Sequence, residues 1–284
     1  ICMSTLVFLT VIGAAVLHAS WNALIKSGAD KRVSMGAMVL GHLPIALIAL
    51  IFVPLPKVDS WPFIIAGIVL HMGYQLFLLQ SYKIGDLTQV YPIARGSAPL
   101  LVTSFSFLVL GVALTSVQLA AVLFIGLGIV SLGLVRWPNG VHNARAAMLA
   151  LGTGCFIAAY SIIDGVGARL AGSALSYYSY LTIGNCSLMA LYLYTTGPST
   201  LRDIATKGRI AFVFGGGASF LAYALVTWAF TKAPIALVTA LREVSIVFAL
   251  LIGILFLKER LNVIKVVSVM FTIIGVVLLG SGEN

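Results

Sequence analysis

Acidic residues are scarce in this chain: 284 residues carry eight aspartates and glutamates, and all charged residues together make up only 9%. That is far below the roughly 25% of an ordinary soluble domain, which excludes one of usual make-up. Histidine is as rare, with four residues, and the three cysteines, Cys2, Cys155 and Cys186, are unclustered beside apolar runs. They offer neither a disulfide framework nor a metal site and read as small core residues. Long loops are missing too, the longest being 136–145 and 196–209, so no soluble domain is inserted. The formal net charge of +9 would suit nucleic acid. Its lysines and arginines, however, sit in short loops between apolar segments, where the preference of cationic loops for the cytoplasm explains them better, and no nucleic-acid partner is expected.

What the chain has in quantity is apolar sequence, 61% hydrophobic with a mean hydropathy of +1.10. Windows of roughly 20 residues, enough to span about 30 Å of hydrocarbon, can be drawn over 3–25, 34–53, 61–82, 87–110, 115–135, 146–164, 173–195, 210–231, 234–257 and 263–280. The first ends at Ala19-Ser20 like a signal peptide but has no cationic region before it, so retention is expected. The sequence predicts an all-α integral membrane protein of ten transmembrane helices.

The chain also repeats itself. Arg95 set on Arg242 and read forward without gaps to Gly133 and Gly280 gives ten identities in 39 positions, among them Phe124/Phe271 and Gly128/Gly275. Upstream the copies slip by two residues, and Lys83 meets Lys232, Tyr74 meets Tyr223 and Gly67 meets Gly216. Gly13 set on Gly152 brings Ala19 to Ala158, Trp21 to Tyr160 and Gly28 to Gly167, so the unit starts at the first window. Five helices per unit is an odd number, and the second unit then enters the membrane from the opposite side. The expected domains are 1–137, a linker at 138–143 whose Pro138-Asn139-Gly140 reads as a turn, and an inverted second unit at 144–284. Inverted repeats with a site at their interface are a recurring plan of secondary transporters. Glycines within spans, such as Gly126/Gly128, Gly152/Gly154 and Gly215 to Gly217, read first as close helix packing.

Each unit holds one arginine in an apolar run, a costly placement that usually faces a bundle interior or watery cavity. Arg95 and Arg242 each lie eight residues into a window, roughly 12 Å deep. Measured from opposite faces of a core about 30 Å thick, the two differ in height by only about 6 Å. Two such cations around one cavity suit a carboxylate, phosphate or phosphonate. The alternative is that they snorkel or satisfy backbone near a kink, since Pro92 and Pro99 flank Arg95. Glu243 follows Arg242 and, in a continuous helix, points about 100° away, so it needs another partner: Arg95 across the repeat interface, a substrate ammonium or a coupling proton. Asp164, at the end of its window, reads as interfacial. Tyr74 and Tyr223, at equivalent positions, read as cavity liners whose hydroxyls need partners, and His71 and Gln75 share the polar side of Tyr74. Trp21 and Tyr160 fall near span ends, as an aromatic belt or at a cavity mouth.

One enzyme motif is present in outline. Asp164-Gly165-Val166-Gly167-Ala168-Arg169 opens like the signature of membrane alcohol phosphatidyltransferases, whose chemistry needs several carboxylates around metal ions. Where the pattern calls for a further glycine and two aspartates the chain has Tyr178, Thr182 and Cys186, and no histidine pair, nucleophile elbow or phosphate loop appears elsewhere. No catalytic residue, metal or organic cofactor is expected.

Charge sorting places Lys26, Lys31, Arg32, Lys83, Arg136, Arg145, Arg202, Lys207, Arg209, Lys258, Arg260 and Lys265 on one side and Lys57, Arg169 and Lys232 on the other. Twelve against three puts the first set in the cytoplasm and both termini outside.

Phe256-Leu257-Lys258-Glu259-Arg260-Leu261 with the glycines Gly275 to Gly280 resembles the end of an EamA-type repeat of the drug/metabolite transporter superfamily. The first unit departs from it, with Leu110-Gly111-Val112-Ala113-Leu114 lacking the glutamate. His18-Ala19-Ser20-Trp21-Asn22-Ala23, the run Gly85-Asp86-Leu87-Thr88-Gln89-Val90-Tyr91-Pro92-Ile93-Ala94-Arg95, and Ala240-Leu241-Arg242-Glu243 resemble a bacterial branch of that family. The resemblance implies a ten-helix carrier of the bacterial inner membrane for small metabolites, often an exporter of amino acids, monomeric or homodimeric, with a central cavity between the halves. It implies cytoplasmic termini, against the loop charges, and the orientation stays open. The substrate-binding candidates are Arg95, Arg242, Glu243, Tyr74, Tyr223, Gln75, His71 and, from the resembling run, Tyr91. An importer of an organic cation or phosphonate is the alternative, and a membrane enzyme acting on lipid-linked substrates the rival from another class.

Overall fold

The computed structural model describes residues 3–26, 30–84, 87–133, 144–257 and 263–281, with side chains described except at 22–26, 82–84, 87–92, 132–133, 144, 250, 253–257, 264–265 and 279–281. The linker at 138–143 lies outside the described residues. Twelve α-helices follow in order: α1 (Thr5–Lys26), α2 (Lys31–Leu50), α3 (Trp61–Ile84), α4 (Leu87–Leu108), α5 (Ser116–Gly133), α6 (Ala144–Leu170), α7 (Ala174–Thr196), α8 (Pro198–Thr206), α9 (Gly216–Phe230), α10 (Ile235–Arg242), α11 (Ser245–Leu257) and α12 (Val263–Ser281). A 3₁₀ turn (Val58–Ser60) precedes α3 and a π-helical turn (Ala211–Gly215) leads into α9. Among the described residues there is no strand.

Each apolar window falls on helix, the form in which a chain without water satisfies its own backbone. Two windows are not simple rods. The window over 210–231 combines the π turn with α9, and that over 234–257 breaks at Glu243 and Val244 into α10 and α11. The helical stretches Lys31–Leu50, Val58–Ser81, Arg145–Leu170 and Ala211–Phe230 are long and apolar enough to cross a membrane, and Thr5–Trp21, Ile93–Leu108, Ser116–Ser131 and Val266–Leu278 are shorter apolar ones. The outer surface agrees with a lipid solvent. Leu6 and Leu9 of α1, Leu119, Leu123 and Leu127 of α5, and Met270, Ile274 and Val277 of α12 are all exposed. Apolar patches of that extent belong in a bilayer or an interface.

Packing follows the repeat. α3 lies on α6 as its counterpart α9 lies on α1, and α4 lies on α6 as α10 and α11 lie on α1. The first helix of each half thus packs into the other half. The remaining counterparts pair directly, α2 with α7 and α5 with α12. Glycines permit the close approaches. A Cβ on Gly275 would stand 2.7 Å from the Ala121 carbonyl, one on Gly128 2.7 Å from Phe271 Cβ, and Ser268 Oγ donates to the Gly128 carbonyl at 2.5 Å. Between α2 and the π turn, Gly41 faces the Phe212 carbonyl and the Gly216 backbone so closely that a side chain at Gly41 would overlap the carbonyl oxygen.

Loop residues then fix the ends. Asp30 caps α2 by accepting from the amides of Arg32 and Val33 at 2.8 and 3.1 Å, which satisfies two otherwise orphaned donors. Arg169 donates to the carbonyls of Phe230 and Ala233 at 2.8 and 2.9 Å, tying the end of α6 to the α9–α10 connection. The turn after α6 closes through Gly172 at φ +81, a conformation that a Cβ disfavours.

Candidate functional site

Eight helices contribute to one cavity: Ala14, His18 and Trp21 from α1, Met38 and His42 from α2, His71, Tyr74 and Gln75 from α3, Arg95 from α4, Tyr160 from α6, Tyr178 from α7, Ser219, Ala222, Tyr223 and Val226 from α9, and Arg242 from α10. Its atom-free space is about 620 Å³, part of it open to solvent. Three pairs equated by the sequence repeat stand on this one wall: Trp21 with Tyr160, Tyr74 with Tyr223, and Arg95 with Arg242. Six of the eight candidate residues therefore line it. Glu243 is sealed behind the arginines, and the side chain of Tyr91 lies outside those described.

At the cationic end, Arg95 Nε stands 2.7 Å from Glu243 Oε2 and Arg242 Nη2 3.5 Å from Glu243 Oε1, all three side chains being buried. Arg95 Nη2 also reaches Ser245 Oγ at 3.4 Å. The expectation that Arg242 and Glu243 point apart is corrected here. It assumed an unbroken helix, whereas α10 ends at Arg242, and the amides of Glu243 and Val244 turn back on the carbonyls of Ala240 and Leu241, both at 3.1 Å. The break keeps the backbone satisfied and swings the carboxylate between two guanidinium groups. Arg242 sits in the last turn of α10, where a cation also complements the helix dipole, and its guanidinium lies 5.8 Å from the Tyr223 ring centre. Arg242 Nε has no hydrogen-bond partner among the described residues. A buried donor in that condition is costly and calls for a ligand or water.

The second cluster corrects another expectation. Asp164 is not interfacial: α6 runs on to Leu170 and the carboxylate is fully buried at 0% exposure. Tyr223 donates to its Oδ2 at 2.7 Å, Tyr177 to its Oδ1 at 3.1 Å, and His71 Nε2 lies 2.8 Å from Oδ2. The His71 ring stacks on Tyr160 with centroids 4.2 Å apart. Tyr74, Tyr178 and Tyr223 pack edge-on or tilted around the same space, Tyr74 at 5.6 Å from Tyr160 and Tyr178 at 5.2 Å from Tyr223. Trp21 and Tyr160 belong to this wall and are buried, which decides between belt and cavity for both.

A neutral end lies between α3 and α7. Gln75 Nε2 donates to Asn185 Oδ1 at 2.9 Å, while Gln75 Oε1 and Asn185 Nδ2 have no partner among the described residues. Sequence reasoning missed Asn185, His18, His42 and Tyr178 as neighbours of the site. In the repeat register His18 faces Ile157, so no paired signal marked it, but Tyr178, Thr182 and Asn185 recur at helical spacing and offered a polar stripe. Among the described residues no group of three or more His, Cys, Asp or Glu could hold a metal ion.

The model of the EamA-like transporter family matches residues 144–281. No curated protein matches the chain. One solved crystal structure is similar with a TM-score of 0.74 at 19% identity, over 97% of this chain and 96% of that one, a likeness that establishes the fold. The family that the motifs resemble is thus the one the second half carries, and residues 144–281 are an EamA-like transporter unit of the drug/metabolite transporter superfamily.

Proposed function

We propose that the chain is a secondary transporter of the bacterial inner membrane that moves small carboxylate-bearing or zwitterionic metabolites, such as amino acids, outward by alternating access. The observation that carries this reading is the placement of Arg95 and Arg242, one from each half, on one cavity wall, with a donor of Arg242 unpartnered among the described residues. Two guanidinium groups offer a fork for a planar carboxylate. The tyrosine rings beside them present faces that attract an ammonium.

The architecture we propose for this task is ten membrane-crossing segments in two inverted five-helix units, 1–137 and 144–284. The exchange of α1 and α6 between halves and the direct pairing of α2 with α7 and α5 with α12 support it. Two related halves meeting at one cavity can trade inward-facing and outward-facing conformations.

The test is counterflow of labelled metabolites in proteoliposomes, scanned over amino acids, quaternary amines and phosphonates. Accelerated exchange of amino acids that unlabelled amino acid competes away is the expected result. Exchange confined to quaternary amines or phosphonates would replace the substrate assignment, the latter being the alternative that the arginine pair also suits. Activity lost in chelator and restored by one metal would instead favour an enzyme acting on lipid-linked substrates; transport is expected to be indifferent to chelators.

A further inference from the structure

We propose that Asp164 and His71 form a proton-binding site at the cavity, and that a proton taken there is the counter-charge admitted with an anionic substrate. The second clause rests on the transporter reading; the first stands on geometry alone.

Asp164 is sealed from solvent, whereas His71, 2.8 Å away, is 13% exposed and on the cavity wall. The pair therefore has one closed member and one open to the cavity. The carboxylate's other partners are the hydroxyls of Tyr177 and Tyr223, and a phenol ordinarily keeps its proton through the physiological range. The exchangeable proton belongs to the imidazole and the carboxylate. Stacking on Tyr160 holds the imidazole plane, so a proton arriving at the ring meets an acceptor already in place. The site also ties helices together, since its ligands come from α3, α7 and α9 around a carboxylate on α6.

The surrounding groups set the charge balance. Facing this pair are His18 from α1, His42 from α2, Tyr74 on α3 itself, Arg95 from α4, Tyr160 on α6 itself, Tyr178 from α7 and Arg242 from α10 with Glu243 behind it, while the turn before α3 carries Asp59, which is exposed. Arg95 and Arg242 against Glu243 and Asp164 sum to zero with the histidines neutral. Glu243 is matched by Arg95, but among the described residues the partners of Asp164 include no permanent cation. A monoanion settling on the arginines leaves one uncompensated negative charge in a poorly solvated space, which is costly. One proton on the His71–Asp164 pair restores neutrality. A zwitterion brings no net charge and calls for none.

Nitrogen-15 NMR of histidine-labelled full-length protein in nanodiscs, titrated from about pH 8 to about pH 5, where imidazole ordinarily changes charge, tests the site without any substrate. One titrating imidazole should vanish in His71→Gln and shift its midpoint in Asp164→Asn, with thermal melts confirming that both fold. Should His71→Gln fail to fold, Asp164→Asn carries the same readout. An imidazole signal that titrates identically in parent and Asp164→Asn, or no titration at His71, overturns the proposal. In proteoliposomes, labelled L-glutamate should then move with about one proton each and labelled L-alanine with none; equal proton flux with both overturns the coupling. If the parent exchanges neither compound, the transport reading fails in its substrate, and the titration still decides the proton site.

Discussion

Arg95 and Glu243 meet from opposite halves of the chain, Nε to Oε2 at 2.7 Å, with the glutamate completely enclosed. Removing one member of such a pair strands the other. Glu243→Gln should therefore lower stability by about 3–5 kcal/mol. An apolar replacement of both, Arg95→Met with Glu243→Leu, should recover only part of the loss, because neither member of this pair is then left buried alone, while Arg242 still loses its carboxylate. Thermal melting in detergent reads both; a double variant no more stable than the single one would mean that the pair is not the term that matters.

Affinity separates a binding role from a structural one. Arg242→Lys keeps charge but not the fork, so it should weaken substrate binding about tenfold or more while changing the melting temperature little. Arg95→Lys should cost both, since Arg95 also holds Glu243. If scintillation proximity binding gives parental affinity for both variants and for their alanine counterparts, the site has been drawn in the wrong place.

Gly41 offers a packing test. A Cβ there would overlap the Phe212 carbonyl, whereas one at Gly13 meets nothing within 4 Å. Gly41→Ala should destabilise by about 1–3 kcal/mol, as overpacking does. Gly13→Ala should be neutral or slightly stabilising, from helix propensity. Equal melting temperatures for the two would remove the close contact between α2 and the π turn as a constraint.

Orientation can be read chemically. The count of cationic loop residues places the connection at 196–209 in the cytoplasm, so Lys207→Cys, at an exposed position, should be shielded from an impermeant thiol reagent in intact cells. Native cysteines must first be replaced, Cys155 being exposed. Ready labelling from outside would show that the termini are cytoplasmic, as the family resemblance implies.

Much of the fold was legible because lipid leaves the chain few options. Apolar runs of span length had to be helices, and the repeat pointed to Arg95, Arg242, Tyr74 and Tyr223, which all stand on one wall; Trp21 and Tyr160, left open between belt and cavity mouth, stand on it too. The break at Glu243 and Val244 was not legible, since neither residue is a proline or glycine and the apolar run continues across it into Ile246 and Val247. What holds the break is a tertiary ion pair to a residue 148 positions earlier, and periodicity carries no trace of that. Asp164 was misplaced for a related reason. Its window was closed at the first carboxylate, although the partners that make burial affordable, Tyr177, Tyr223 and His71, come from three other helices.

The pairing of Glu243 with an arginine 148 positions earlier also bears on how the chain is made. Synthesis proceeds at roughly 5–20 residues per second, so about 7–30 s pass between the emergence of Arg95 and that of its carboxylate partner. During that interval α4 carries a cation into the bilayer without Glu243, and the first half must delay its final seating or lodge the arginine near the surface until α10 arrives. Completion of this ion pair thus waits for the second half to deliver its glutamate.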